Sequence, residues 1–178
     1  MAKLYFRYGA MNAGKSTALL QIAHNYEETG KRAILCKPTT DKRSVNITSR
    51  LGVSHKVDMN ITPTDDVYKL SQRLIVQSPK VSCFLIDEAQ FLTTRQVDEF
   101  LKVVLVLHIP VIAFGIRTDF KMNGFEGAKR LLEVAHSIEE TKTMCICGRR
   151  KAIFNLRYNK QTRQVIFEGE QVNPGLGE

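Results

Sequence analysis

The chain has 178 residues, 43% hydrophobic and 25% charged, enough for one domain with a real core and too few for two ordinary ones. No run of about 18 apolar residues occurs, so no helix is expected to span a bilayer, and the N-terminal MAKLYFRYGA lacks the apolar stretch and cleavage site of a secretion signal. Lys and Arg outnumber Asp and Glu by 26 to 18, and the resulting +8 suits nucleic acid or a phosphorylated small molecule equally well.

Lys3–Tyr8 is a short β-prone run that stops at Gly9. From Lys15 to Thr29, Ala18, Leu19, Ile22, Ala23 and Tyr26 recur with a helical period, and Gly30 stands where a C-terminal cap belongs. Ala33–Cys36 predicts a second strand ended by Pro38. Residues 39–63 have no clear period and predict a long functional loop. Asp65 and Asp66 open a helix to about Gln77, and Val81–Ile86 is apolar enough for a strand buried on both faces. Thr93 and Gln96 have capping-box spacing and start a helix to about Leu107. Val111–Phe114 predicts another buried strand, and a further helix runs from about Phe125 to Ala135. Strands alternating with helices predict a parallel sheet covered by helices on both faces.

The end of the chain reads differently. Cys145-Ile-Cys147-Gly148 is a tight knuckle, Ala152, Phe154, Leu156 and Tyr158 alternate with Ile153, Asn155 and Arg157, and Val165–Phe167 returns after Asn159–Thr162. That pattern predicts a two-stranded appendage beginning near residue 140. Cys36 and Cys83 lie in apolar runs and read as core residues, so a disulfide framework is a poor reading and a reducing cytoplasm a better one.

Two motifs carry chemistry. Gly9-Ala-Met-Asn-Ala-Gly14-Lys15-Ser16 matches the phosphate-loop pattern in full, between a strand and a helix. Its glycines let backbone N–H groups turn toward phosphate oxygens, and the following helix adds its positive N-terminal end. Lys15 supplies a charge for the β- and γ-phosphates, and Ser16 a hydroxyl for Mg²⁺. At the end of the Val81–Ile86 strand, Asp87 is the second candidate Mg²⁺ ligand, and Glu88 stands where a nucleophile's proton must go. Part of the cationic surplus is expected to converge here, through Lys15 and through Arg50 or Arg157.

Among phosphate-loop proteins, a switch GTPase is disfavoured. Asn159-Lys-Gln-Thr162 has Thr where guanine recognition needs a carboxylate, and no D-x-x-G occurs. Helicases and motors share an Asp-Glu-Ala-x motif but need a second domain of similar size. A small kinase fits the length and gives Glu88 a task. A nucleotide-binding or assembly protein without catalysis is the rival from another class. Binding to nucleic acid or membrane is not expected.

The segments Tyr5–Ser16, Asp87–Phe91, Phe114–Phe120, Cys145–Gly148 and Glu168–Gln171 occur in order over residues 1 to about 172. Together they closely resemble bacterial thymidine kinases of the homotetrameric type. The resemblance implies a RecA-like phosphate-loop α/β sheet over residues 1–140 and a small β-rich lid and zinc appendage over residues 141–178. It implies ATP-dependent phosphorylation of thymidine to dTMP in the cytoplasm, Mg²⁺ with the ATP, a homotetramer, and feedback by dTTP. Glu88 matches the general base that takes the proton of the 5′-hydroxyl. The phosphate cradle matches Gly9, Ala10, Met11, Asn12, Ala13, Gly14, Lys15, Ser16 and Thr17. Asp87, Glu88, Ala89 and Gln90 match the nucleotide-facing strand end. Met11, Phe91, Ile116, Phe120 and Phe125 match the walls of the thymine pocket, and Asn155 falls in the segment closing over the base.

Of the family's four structural zinc ligands, Cys145 and Cys147 match two. After Val172 the sequence runs Asn-Pro-Gly-Leu-Gly-Glu178, without the family's second ligand pair, its Gly-Gly segment or the Tyr that packs on the base. His108 and His136, on segments read as helical, are the possible substitutes, and zinc stays open on the residues alone. The expected consequence is a weakened lid, with a raised KM and looser nucleoside choice but intact phosphate chemistry.

Overall fold

The computed structural model describes residues 1–39, 46–159, 161–162 and 164–171. In chain order the elements are β1 (Leu4–Tyr8), α1 (Lys15–Glu28), β2 (Arg32–Pro38), β3 (Asn46–Thr48), β4 (Ser54–Lys56) and β5 (Met59–Ile61). They continue with α2 (Val67–Gln77), β6 (Val81–Ile86), a 3₁₀ turn (Ala89–Phe91), α3 (Thr94–Val106), β7 (Val111–Gly115), α4 (Glu126–Val134) and β8 (Ser137–Glu140). Four two-residue strands follow, β9 (Thr143–Met144), β10 (Lys151–Ala152), β11 (Arg157–Tyr158) and β12 (Val165–Ile166).

Six strands form one sheet in the order β5-β2-β6-β7-β1-β8, with every pairing parallel. The central strands read as continuous apolar runs because both faces are covered. Ala33, Leu35, Cys83, Leu85 and Phe114 pack with Leu19, Leu20 and Ala23 of α1. The alternate residues Ile34, Cys36, Phe84 and Ile86 pack with Val97, Phe100, Val103 and Val104 of α3 and Ala128 and Leu131 of α4. The helical starts follow the sequence. Asp66 caps α2 by accepting from the Lys69 N–H at 2.9 Å, and Thr93 and Gln96 form both halves of a capping box at α3.

Three expectations need correction. Residues 46–61 are not an irregular loop: β3 and β4 pair as a hairpin whose Ile47 packs on α1, and β5 joins the sheet edge. Strands of three residues are too short to show a period. Asp58 ties them down instead, its carboxylate accepting from the Leu35 N–H at 2.9 Å and from Arg32 at 2.8 Å. Residues 40–45 of that stretch lie outside the described residues.

The second correction is β8, an edge strand on β1 that sequence reading passed over. Its Ser137-Ile-Glu-Glu140 is mostly polar and exposed, as edges that avoid further pairing tend to be. Third, the alternating run from Ala152 to Tyr158 is not one strand. Ala152 pairs back on Thr143 around the Cys145 knuckle, whereas Arg157 and Tyr158 pair with Ile166 and Val165. The intervening residues 153–156 are irregular.

Candidate active site

The register sets the site at the carboxyl edge of the sheet. Tyr8 of β1 lies opposite Gly115 of β7, and Ile86 of β6 opposite Ala113, so the segments following all three strands emerge together. Gly9 continues the first ladder, its N–H donating to the Gly115 carbonyl at 3.2 Å. The loop then turns through positive φ at Asn12 (65°) and Gly14 (75°). Gly14 caps α1 without any side-chain hydrogen bond, and Lys15, Ser16 and Thr17 form the first helical turn. A helix start capped this way presents backbone N–H groups and the positive end of the dipole to an anion.

Lys15 is half-buried, and its ammonium donates to the loop's own carbonyls, Gly9 at 3.1 Å and Ala10 at 2.8 Å. Burial lowers its pKa, while the charges of Glu88 and Asp87 oppose that shift. The Ser16 hydroxyl faces the Asp87 carboxylate at 3.3 and 3.4 Å, joining the phosphate loop to the end of β6. Asp87 is 5% exposed. Burial, and secondarily the neighbouring Glu88 charge, push its pKa up to about 6, against a smaller opposing effect of Lys37. A hydroxyl and a buried carboxylate facing each other are the hard oxygen donors that Mg²⁺ takes, and that ion needs only one or two protein ligands beside phosphates. The pair fits Mg²⁺.

Glu88 adopts φ 53°, a left-handed conformation that non-glycine residues hold only where surrounding structure enforces it. Here the enforcing structure is the 3₁₀ turn, packed beneath α4. A Cβ on Gly127 would meet the Ala89 carbonyl at 2.7 Å and the Leu92 carbonyl at 2.6 Å, so only glycine lets α4 approach. Gln90 is 2% exposed, and its amide bonds Glu88 and the Ile116 N–H; the amide is used within the protein.

The expected base-binding residues are distributed over two groups. Phe91 and Phe125 pack edge to face with ring centres 5.6 Å apart, Phe91 43% exposed and Phe125 buried within the main core. Phe120 is buried under Arg157, whose guanidinium lies 3.8 Å from the ring centre and donates to the Glu170 carbonyl at 3.1 Å. Ile116 packs partly on the core, and Met11 is 44% exposed on the loop. Asn155 reaches the phosphate loop, its Oδ1 accepting from the Met11 N–H at 2.7 Å. The cleft beside that bond is lined by Tyr8, Gly9, Ala10, Arg117, Thr118, Glu140, Ile153 and Asn155, so of the base-binding candidates only Asn155 borders it.

The cationic expectation is half met. Lys15 is at the loop, whereas Arg157 is committed to Phe120 and Arg50 lies in the turn between β3 and β4. Lys37 and Arg117 were missed. Lys37 acts on Asp87 from the end of β2, and Arg117 lies 5.5 Å from the ring centres of both Tyr8 and Phe154. Gly115 and Gly127 were missed as well. A glycine inside a helix costs about 1 kcal/mol relative to alanine, which is itself a sign that something packs against it.

The zinc candidates stand apart. Cys145 is partly exposed and Cys147 exposed, and the Cys147 N–H lies 3.5 Å from the Cys145 sulfur. Hydrogen bonding from the Arg149 backbone, then from Cys145, lowers the Cys147 pKa. Among the described residues no group of three or more potential ligands occurs. Two thiols alone do not fit a closed zinc site, which takes four donors. Neither histidine is helical, contrary to expectation. His136 follows α4 and its Nδ1 accepts from the Leu4 N–H at 3.1 Å, and His108 is an exposed residue after α3 at φ 56°. No helix among the described residues is long and apolar enough to cross a membrane.

The family model described as thymidine kinase matches residues 2–173. A thymidine kinase of Legionella pneumophila (strain Lens) is 47% identical over 180 aligned positions, covering 100% of this chain and 85% of that one. Thymidine kinases of Mannheimia succiniciproducens and Lactiplantibacillus plantarum are 44% and 43% identical, each covering 100% of this chain and 90% and 91% of their own length.

Proposed function

The chain belongs to the thymidine kinase family, transferases that use ATP, and from that premise we propose that it moves the γ-phosphoryl group of ATP to the 5′-hydroxyl of thymidine. The products are dTMP and ADP. The observation that carries the reading is the contact of Ser16 with Asp87, which brings the phosphate loop against the carboxylate pair at one end of the sheet.

In this reading the N–H groups at the start of α1 and the Lys15 ammonium hold the β- and γ-phosphates, Lys15 exchanging its present carbonyl partners for phosphate oxygens. Ser16 and Asp87 hold Mg²⁺, which when bound neutralises charge on the transferred group. Glu88 accepts the proton of the 5′-hydroxyl as that oxygen forms its bond to the γ-phosphorus. The bond from the γ-phosphorus to the oxygen bridging the β-phosphate breaks, and ADP leaves with that electron pair. Phe91 and Phe125 wall the thymine on one side, Phe120 and Ile116 approach from the segment after β7, and the Asn155 region closes over it. A homotetramer, feedback by dTTP and a cytoplasmic setting belong to the same proposal.

The test is ADP release from ATP and Mg²⁺ with and without thymidine, with dTMP measured alongside. Thymidine-dependent ADP and equimolar dTMP are expected. ATP binding with no thymidine-dependent turnover contradicts catalysis and supports the rival reading of a nucleotide-binding protein.

A further inference from the structure

Resting on the assignment of Glu88 as the base, we propose that Gln90 is a positioning residue that aims the Glu88 carboxylate and holds it during phosphoryl transfer. Gln90 is 2% exposed, and its side chain spans two partners. Its Oε1 accepts from the Ile116 N–H at 3.1 Å, and its Nε2 donates to Glu88 Oε2. The orientation of the amide follows from chemistry. A backbone N–H can only donate, so the amide oxygen must face Ile116, and the amide nitrogen is left facing Glu88.

The arrangement answers a specific difficulty. Glu88 follows another carboxylate, Asp87, and the like charges repel. A flexible glutamate beside such a neighbour would spend much of its time aimed elsewhere. The Gln90 donor occupies Oε2, and among the described residues nothing donates to Oε1. That oxygen is left for the substrate hydroxyl.

The backbone holding Gln90 is itself held. Gly115 gives the amide room, since a Cβ there would meet Gln90 Oε1 at 2.7 Å and its backbone N at 3.2 Å. Gly127 lets α4 close on the turn from the other side, where a Cβ would lie 3.1 Å from the Gln90 carbonyl. The end of β7, the 3₁₀ turn and the start of α4 thus converge on one amide held between Ile116 and Glu88.

Steady-state kinetics of Gln90→Leu and Gln90→Glu, alone and combined with Glu88→Gln, test this. Gln90→Glu keeps the size of the side chain and an oxygen for Ile116 but sets a carboxylate oxygen against Glu88, so it reports even where Gln90→Leu fails to fold. Each single variant is expected to lower kcat by about 10- to 100-fold, the usual cost of a misplaced reacting group, with KM for thymidine and ATP within about threefold. On the Glu88→Gln background neither is expected to lower kcat further, because no base remains to be aimed. Losses that multiply on that background, a raised KM in place of a lowered kcat, or full activity in both single variants would overturn the positioning role. If Glu88→Gln alone lowers kcat while the Gln90 variants do not, only that role falls. A fully active Glu88→Gln removes the base assignment and the positioning role together.

Discussion

In the phosphate half of the site, Asp87, Ala89 and Gln90 are buried, and the working residues leave the ends of buried strands. Between residues 141 and 171, Ile146, Ile153, Leu156 and Phe167 are more than half exposed, and β9 to β12 have two residues each. Among the described residues, the segment proposed as a lid touches the rest through scattered contacts, with the Thr143 hydroxyl donating to the Asn12 carbonyl at 3.4 Å and Arg117 lying 5.5 Å from the Phe154 ring centre. Asn155 bonds the loop, Arg157 lies on Phe120, and Gln171 donates to Asp119 at 3.1 Å. In the proposed function the difference separates two tasks. Aligning phosphates and a base needs groups fixed by the core, whereas admitting and releasing a nucleoside needs a cover held by contacts weak enough to break.

The largest effect should come from the rigid half. Lys15→Ala is expected to lower kcat/KM by about 10²–10³-fold or more, since it removes a fixed charge from the transferred phosphates. Circular dichroism and thermal melting should show an intact fold. Near-normal turnover would end the phosphate-loop assignment.

The second effect concerns stability, because a buried carboxylate is a cost that the core carries for function. Asp87 has a folded pKa of about 6 against about 3.9 when unfolded. The folded state therefore holds this proton more tightly. Its contribution is fully present below about pH 4 and is lost as pH rises through about 6. Asp87→Asn should accordingly gain stability over the unaltered, metal-free protein as pH climbs from 4 to 7, by about 2 kcal/mol. Urea unfolding at several pH values checks this, and a gap that stays constant with pH would refute the burial argument.

The lid should respond more gently. Asn155→Ala removes one exposed hydrogen bond to the loop, a loss of about 0.5–1.5 kcal/mol. The expected result is a KM for thymidine raised by about 2- to 10-fold with kcat nearly unchanged. A kcat loss of similar size would place Asn155 with the chemistry. The smallest effect is on nucleic acid. Despite the +8 charge, duplex DNA should bind no tighter than the micromolar range usual for non-specific contacts at physiological salt. Submicromolar binding would show a basic surface with a task of its own.

The same division governs how far the sequence could be read. The loop Gly9–Ser16, the apolar runs of β2, β6 and β7, and the capping box at Thr93 each impose a local pattern, and the structure keeps all of them. The short strands β3 to β5 and β8 escaped because three or four residues carry no period, and what fixes them is distant, such as Asp58 on Leu35 and Arg7 on Glu139 at 2.8 Å. At the site, Asp87 and Glu88 announce themselves by chemistry. Gln90, Gly115 and Gly127 do not, because their roles depend on strand β7 and helix α4 meeting one turn. In the proposed lid, exposed hydrophobics such as Phe154 and Leu156 mimic strand alternation without forming one strand.

The central claim is that the core-fixed half supplies the chemistry through Glu88, while the lid supplies recognition. Measuring kcat and the thymidine KM of Glu88→Gln tests it most directly. The substitution keeps the size of the side chain and removes its capacity to accept the hydroxyl proton. The account predicts a fall in kcat of about 10²–10⁴-fold with KM changed by less than about threefold. An unchanged kcat with a raised KM would contradict it, and would make Glu88 a binding group.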